Sequence, residues 1–135
     1  MAHILIVEDE QVLERILTLN LAKRGYAVAE ARTVAEADAL ARAADPPFDL
    51  VILDINLPDQ TGWNLLRLWR SRPDFRLPPI IVATAVRPSE ERLREFCPVA
   101  VLVKPFPIET LLRLIERALT PAGEKNHLVL DPFDP

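Results

Sequence analysis

The sequence predicts an α/β domain in which a parallel sheet of five strands carries helices on both faces. Short apolar runs rich in β-branched residues recur along the chain, and each is followed by apolar residues at helical spacing. The connections between these segments are short. Because regular alternation with short connections is typical of parallel sheets, the 135 residues are expected to form one such domain.

The N-terminal half of the chain alternates three strands with two helices. The first and third strands are continuous apolar runs, which are typical of strands buried on both faces. Gly25 ends the first helix, and a capping-box signature formed by Thr33 and Glu36 opens the second. In order, we predict a strand at residues 3–7, a helix at 12–24, a strand at 26–30, a helix at 33–44 and a strand at 49–53.

The C-terminal half continues the same alternation. Pro78 and Pro79 introduce a strand, a position that proline tolerates. The helix after Ser89 has only Leu93 and Phe96 as an apolar stripe, so its packing is expected to be the weakest. We predict a helix at 62–72, a strand at 80–84, a helix at 89–96, a strand at 99–103 and a strongly amphipathic helix at 108–119.

Composition limits the classes of function. The net charge of −4 argues against a general nucleic-acid surface, and no apolar run approaches the length of a membrane span. Cys97 is the single cysteine, taken here as a small apolar residue, and His3 and His127 give no metal-ligand spacing. A strand begins at the N-terminus with no signal peptide before it, so we expect a cytoplasmic protein without direct nucleic-acid or membrane binding.

Polar side chains stand at the carboxyl ends of four predicted strands, which share one edge of a parallel sheet. If the first strand is central and flanked by the third, three carboxylates crowd together there. Two charges about 4 Å apart repel by roughly 4 kcal/mol at an effective dielectric of about 20, so a cation or a proton is required. Oxygen ligands favour Mg²⁺ over zinc or copper. The residues are Glu8, Asp9, Asp54, Thr84 and Lys104.

This set of groups predicts an acceptor site for a phosphoryl group. Asp54 would be the nucleophile, because a carboxylate can form an aspartyl phosphate. Glu8 and Asp9 would hold the metal that screens the approaching anions, and the backbone carbonyl of Asn56 could complete its coordination.

Lys104 and Thr84 complete the predicted site. The Lys104 ammonium would pair with one phosphoryl oxygen and the Thr84 hydroxyl would hydrogen-bond another. Each site residue alone has a simpler interpretation, such as a capping acid or a lysine that extends to solvent. Four strand ends that all carry suitable groups make that interpretation improbable for the set.

The chain from Met1 to about Leu119 resembles the receiver domain of two-component response regulators, including the chemotaxis regulators. The resemblance implies a flavodoxin-like doubly wound sheet of order 2-1-3-4-5 and a cis bond before Pro105. It also implies Mg²⁺-dependent transfer to Asp54 from a phosphohistidine of a sensor kinase. The matching motifs are Val7-Glu8-Asp9-Glu10, Asp54-Ile55-Asn56-Leu57-Pro58 with Gly62, Thr84-Ala85 and Lys104-Pro105-Phe106.

The sequence departs from the family pattern near the fifth strand. Val101 stands three residues before the lysine, where receivers usually carry an aromatic switch residue, and residues 95–100 lack the usual Gly-Ala pair. We therefore expect phosphorylation to move Val101 little. Readout would depend on the backbone of residues 85–88 or on a bound partner.

The main functional hypothesis is a signalling switch with self-catalysed aspartyl phosphorylation and dephosphorylation, rather than a metabolic enzyme. Its partners would be a sensor histidine kinase or phosphotransfer protein and an unknown output protein, and homodimerisation is left open. One alternative is a receiver-like module that binds partners without phosphate. A phosphatase or nucleotide-binding enzyme is disfavoured because a chain with three glycines has no glycine-rich phosphate loop.

The predicted receiver domain spans residues 1–120, and residues 121–135 form a C-terminal tail. The tail has three interpretations: a disordered end, an edge strand that pairs with a partner, or the start of a second domain. In the last case the chain would be the receiver part of a larger DNA-binding transcription regulator, with the second domain beginning near Leu128. The output would then change, while the receiver function would not.

Overall fold

Five strands alternate with five helices in the computed structural model, which describes residues 1–120. This alternation confirms the predicted order of elements. The predicted tail, residues 121–135, lies outside the described residues. The elements are β1 His3–Val7, α1 Gln11–Lys23, β2 Ala27–Ala31, α2 Val34–Ala43, β3 Leu50–Leu53, α3 Gly62–Ser71, β4 Ile80–Thr84, α4 Glu90–Phe96, β5 Ala100–Val103 and α5 Ile108–Ala118.

All strand pairs are parallel, and the sheet has the order β2-β1-β3-β4-β5 that the resemblance implied. In this register Val7 of β1 lies opposite Leu53 of β3, so the next residues, Glu8 and Asp54, emerge at the same level. Thr84 of β4 lies opposite Val103 of β5, which places Lys104 just beyond it. The register therefore sets the polar strand ends side by side.

The core consists of two apolar layers, one on each face of the sheet. Side chains alternate along β1, so Leu5 and Val7 enter one layer while Ile4 and Ile6 enter the other. Residues of α2, α3 and the end of α4 fill the first layer, and α1 and α5 fill the second. Truncating a buried leucine in such a layer typically lowers the free energy of unfolding by about 2–5 kcal/mol. The two layers therefore stabilise the sheet and hold its carboxyl edge, with the polar strand ends, in place.

Val12, Leu13, Ile16, Leu17 and Leu21 recur at helical spacing in α1, which predicts that they share one buried side. Leu17 and Leu21 are buried, but Val12 is 71% exposed and Ile16 is 43% exposed. Glu14 takes a buried position in the first turn instead. The apolar residues of α1 fall on two helical stripes, and only the stripe through Leu17 and Leu21 faces the sheet.

The N-terminus of α2 confirms the predicted cap. The Thr33 hydroxyl accepts a hydrogen bond from the Glu36 amide at 3.0 Å, and the Glu36 carboxylate accepts one from the Arg32 amide at 2.8 Å. A second acid contributes from a distant loop: Asp59 accepts hydrogen bonds from the amides of Val34 and Ala35 at 3.0 and 3.1 Å. The bonds from the Val34, Ala35 and Glu36 amides satisfy donors that the first turn of a helix leaves free, and the bond from Arg32 ties the preceding residue to that turn.

Cys97 follows the last turn of α4. This residue, interpreted from the sequence as a small apolar one, is exposed and adopts a left-handed conformation with φ of 47°. Its amide donates to the Leu93 carbonyl at 2.9 Å, which closes the last turn.

Among residues 1–120, no helix has the length and apolar character needed to cross a membrane.

Candidate functional site

Three carboxylates meet at the carboxyl edge of the sheet. One carboxylate oxygen each from Glu8, Asp9 and Asp54 lies within 4.8 Å of the others. Glu8 and Asp54 are almost fully buried, at 3% and 5% exposed, whereas Asp9 is exposed to solvent. The structure therefore brings together the three acids that the sequence predicted, with an open side at Asp9.

The Lys104 ammonium lies between the two buried acids. Its Nζ is 2.9 Å from Glu8 Oε1 and 3.2 Å from Asp54 Oδ2. Burial alone would lower the pKa of Lys104, but the hydrogen bond to Glu8 and the charges of both acids outweigh it, so the pKa is raised. Lys104 consequently keeps its positive charge at the edge of the site.

The charge in the pocket is not balanced by Lys104 alone. Burial raises the pKa of Glu8 to about 7, and the charge of Asp54 adds to this, although the hydrogen bond from Lys104 acts in the opposite direction. One ammonium faces three carboxylates, so a further cation would relieve their repulsion. The oxygen-only donor set fits a hard cation such as Mg²⁺.

The loop after β3 is folded tightly onto the first turn of α3. Asp54 Oδ1 accepts a hydrogen bond from the Asn56 amide at 3.2 Å, and the Gly62 amide donates to the Ile55 carbonyl at 2.7 Å. Asn56 also forms an isolated bridge with Thr61. These bonds fix the backbone around Asp54, while metal coordination by the Asn56 carbonyl stays a prediction.

Thr84 ends β4 at the same edge and is 2% exposed. Its hydroxyl lies 3.5 Å from the Val86 amide, at the limit for a hydrogen bond, and its carbonyl accepts one from the Lys104 amide at 2.8 Å. Val86 itself is 70% exposed. The backbone of Thr84 thus supports the residue that contacts both buried acids.

Two further sequence expectations concern the fifth strand and the turn after it. Val101 is buried, at 1% exposed, and pairs with Val82 of β4. The Lys104-Pro105 peptide bond is cis, in agreement with the resemblance.

Asp59 has a structural role beside the site that the sequence does not reveal. It lies in the same loop as Asp54, and its carboxylate caps α2 through the amides of Val34 and Ala35. The only sequence signal is an acid between the strand and the next helix, and such acids usually cap the helix that follows them. Its partners lie 24 and 25 residues earlier, so no local pattern identifies them.

The fold and the site together define a flavodoxin-like domain of the receiver class. The chain belongs to the response regulator receiver domain family, whose family model matches residues 4–116. It is a phosphorylatable receiver of two-component signalling.

Individual relatives agree with this assignment. The chain is 37% identical over 118 residues to the transcriptional regulatory protein CusR of Escherichia coli, covering 86% of the chain and 50% of CusR. The non-phosphorylated HemR receiver domain of Leptospira biflexa has a TM-score of 0.76 and 34% identity, with 89% of this chain and 95% of that chain covered. Thermotoga maritima TrrA, solved in complex with Mg²⁺-BeF, has a TM-score of 0.73 and 28% identity, with 88% and 100% covered.

The curated relatives are longer than this chain. The alignments span 24% of one DNA-binding regulator and 54% and 58% of two other transcriptional regulators. The family assignment therefore concerns the receiver, and the activity of a whole protein is a matter for proposal.

Proposed function

We propose that Asp54 is the phosphoacceptor and that residues 1–120 form the switch of a phosphorelay. The observation that carries this proposal is the pairing of Asp54 with Lys104 at 3.2 Å inside a cluster of carboxylates. Asp54 is nearly buried, but one of its carboxylate oxygens lies within 4.8 Å of a carboxylate oxygen of the exposed Asp9. A donor phosphoryl group can therefore approach an acid whose backbone is already held in place.

The proposed transfer makes one bond and breaks one bond. A carboxylate oxygen of Asp54 attacks phosphorus, and the bond between phosphorus and the imidazole nitrogen of the donor phosphohistidine breaks. The electron pair stays on that nitrogen, and a proton on the ring keeps the leaving imidazole neutral. Hydrolysis of the aspartyl phosphate by water resets the switch.

Glu8, Asp9 and Asp54, with the Asn56 carbonyl, would hold Mg²⁺. When bound, Mg²⁺ supplies the charge neutralisation that three carboxylates and an incoming phosphoryl group require. The oxygen donors and the open side at Asp9 support this assignment. TrrA, a structural neighbour, was solved with Mg²⁺-BeF, and this also favours Mg²⁺ here.

Lys104 and Thr84 would bind the phosphoryl oxygens. Phosphorylation places negative charge beside Asp54, and the Lys104 ammonium, now shared between Glu8 and Asp54, can pair with it. The Thr84 hydroxyl oxygen accepts a marginal contact from the Val86 amide at 3.5 Å, and this contact leaves the hydroxyl proton available to donate a hydrogen bond. Both roles rest on the same argument: the negative phosphoryl group beside Asp54 needs a cation and a hydrogen-bond donor.

The proposed donor is a sensor histidine kinase or a phosphotransfer protein in the cytoplasm. An apolar stripe on α1 supports a helical docking partner: Val12, Ile16 and Leu19 are 71%, 43% and 56% exposed. These residues follow one another at helical spacing, and α1 starts only a few residues after Glu8 and Asp9. A helix of the donor could pack on this stripe and present its histidine to the acceptor edge.

The proposed output is transcriptional. The chain spans about half the length of CusR, which is a transcriptional regulatory protein. We infer a receiver that acts on a DNA-binding output region and does not itself contact nucleic acid, in keeping with its net charge of −4. Homodimerisation remains a prediction.

The decisive experiment is to incubate the protein with acetyl phosphate and Mg²⁺ and to measure its intact mass. We expect addition of one phosphate to the wild type and none to Asp54→Asn. Asp74→Asn is the matched control, because Asp74 is an exposed acid away from the site. Absence of a phosphate adduct on the wild type, or its persistence in Asp54→Asn, would overturn the acceptor assignment.

A further inference from the structure

Helices α3 and α4 are joined by a cluster of aromatic and arginine side chains, which we name the aromatic–arginine clasp. The rings of Trp63 and Phe96 are stacked, with centroids 5.1 Å apart and planes inclined by 21°. Both residues are 7% exposed. Guanidinium groups cover the two rings at 5.3 to 5.5 Å from the centroids, and the clasp comprises Trp63, Arg67, Arg70, Arg92 and Phe96.

Polar contacts add to the clasp at the last turn of α4. Arg70 Nη1 donates to the Glu95 carbonyl at 2.6 Å, and Arg67 Nε lies 3.5 Å from Glu95 Oε2. α4 is only seven residues long, so it cannot hold its position by helix propensity alone. Side chains of α3 therefore help to hold α4 in position.

The other end of the clasp adjoins the acceptor loop. Trp63 directly follows Gly62, and a Cβ atom on Gly62 would lie only 2.7 Å from the Asp54 carbonyl oxygen. The Gly62 amide also donates to the Ile55 carbonyl at 2.7 Å. With backbone packed against backbone at this point, a shift at Asp54 or Ile55 must displace the first turn of α3 and with it Trp63.

The same apolar layer contains Val101, which lies in one core cluster with Trp63 and Phe96. Valine is stiff at χ1 and has no ring that can turn between a buried and an exposed position. Its side chain is 1% exposed and surrounded by this layer. Movement within the layer is thus better carried by the two stacked rings than by residue 101.

We propose that the aromatic–arginine clasp transmits the state of Asp54 to α4, and that Trp63 and Phe96 are the residues that carry the movement. The proposal rests on the function proposed above, in which Asp54 is the phosphoacceptor. Phosphorylation displaces the start of α3, the Trp63 ring displaces Phe96, and α4 moves together with the exposed Cys97 at its end. The clasp gives α4 a route of response that does not require the loop of residues 85–88.

The chain carries its own reporters for this proposal. It has two tryptophans and one cysteine, so 5-fluorotryptophan labelling gives two ¹⁹F signals and a trifluoromethyl tag on Cys97 gives a third. Trp69 lies in the same helix but stacks on Phe75, outside the clasp. On addition of beryllofluoride with Mg²⁺, we expect the Trp63 and Cys97 signals to shift and the Trp69 signal to shift much less.

Phe96→Leu breaks the ring stack, and Phe75→Leu is the matched control because it breaks the other aromatic stack of α3. We expect Phe96→Leu to reduce the Cys97 response at least twofold while leaving the Trp63 response, and Phe75→Leu to leave both. Arg70→Ala removes an exposed arm of the clasp and should reduce the Cys97 response without loss of the fold. Undiminished Cys97 responses in Phe96→Leu and Arg70→Ala would overturn the proposal.

Intact mass after acetyl phosphate treatment separates this proposal from the function on which it rests. Failure of the wild type to gain a phosphate would count against the acceptor role of Asp54. Normal phosphorylation with no response at Cys97 in the wild type would overturn only the clasp proposal.

Discussion

Gly62 lies so close to Asp54 that a Cβ atom on residue 62 would stand 2.7 Å from the Asp54 carbonyl oxygen. Gly62→Ala should therefore displace the acceptor loop, destabilising the protein by about 1–3 kcal/mol and slowing phosphorylation by acetyl phosphate about tenfold. Gly25→Ala is the control: Gly25 has φ of +88° but open space, so stability should fall while the phosphorylation rate is kept. Equal phosphorylation rates in Gly62→Ala and the wild type would contradict this expectation.

Lys104→Met should have opposite effects on metal binding and on chemistry. The ammonium lies 2.9 Å from Glu8 and 3.2 Å from Asp54, so its removal leaves the acid cluster more negative. We expect tighter Mg²⁺ binding in a tryptophan-fluorescence titration but phosphorylation slowed on the order of 10²-fold, because the phosphoryl oxygens lose a cation. Lys104→Arg keeps the charge and should bind Mg²⁺ nearly as the wild type does; weaker binding by Lys104→Met would refute the charge argument.

Asp38→Asn should destabilise the protein at neutral pH. Asp38 accepts two hydrogen bonds from Arg72 at 2.5 and 2.9 Å and one from Trp69 at 3.0 Å. The hydrogen bond from Arg72 outweighs burial and lowers the pKa of Asp38, so this stabilisation is present at neutral pH and is lost as the pH falls through the lowered value. We expect a loss of about 1–3 kcal/mol at pH 7 in urea unfolding, and a smaller difference near pH 3. Asp45→Asn, at an exposed position, should change little.

Glu14→Gln should stabilise the protein at neutral and alkaline pH. Burial and the nearby Glu30 raise the pKa of Glu14, and the Thr18 hydroxyl donates to Glu30 at 2.6 Å. Because the folded state favours protonated Glu14, its contribution to stability falls as the pH rises above the ordinary range for glutamate. Thermal unfolding should show a gain of roughly 0.5 kcal/mol for Glu14→Gln near pH 8 and little gain near pH 4. Glu109→Gln, at an exposed position, is the control, and a stability gain independent of pH would argue against this explanation.

The exposed stripe on α1 should matter for a protein donor and not for a small one. Ile16→Ser and Leu19→Ser remove apolar area that is 43% and 56% exposed, so folding stability should change little. We expect transfer from a phosphorylated donor protein to slow about tenfold or more, while labelling by acetyl phosphate stays unchanged. Leu68→Ser on α3 is the matched control, with a residue 37% exposed. A parallel loss with both donors would point to a damaged site rather than a docking surface.

Much of the site could be predicted because its residues are fixed locally. Each polar group directly follows a run of apolar residues, and a parallel sheet brings all such ends to one edge. The strand order came from the family resemblance, and with that order the positions of Glu8, Asp54 and Lys104 follow from register alone.

The remaining features depend on contacts that periodicity does not encode. Val12, Ile16 and Leu19 recur at helical spacing just as Leu17 and Leu21 do, so the sequence could not tell which stripe of α1 faces the sheet. The clasp between α3 and α4 was missed because arginines at the surface of a helix are usually interpreted as solvated. Only the tertiary structure shows that two aromatic rings lie beneath them.

The cap that Asp59 places on α2 has a consequence for protein engineering. The loop between β3 and α3 is tied at Asp59 to the amides of Val34 and Ala35, which lie 25 and 24 residues earlier in the chain. An insertion or deletion in this loop would therefore release the start of α2 as well as move the acceptor residue. A chimeric receiver that borrows this loop from another protein must also import the matching first turn of α2, and loop and turn should be exchanged as one cassette.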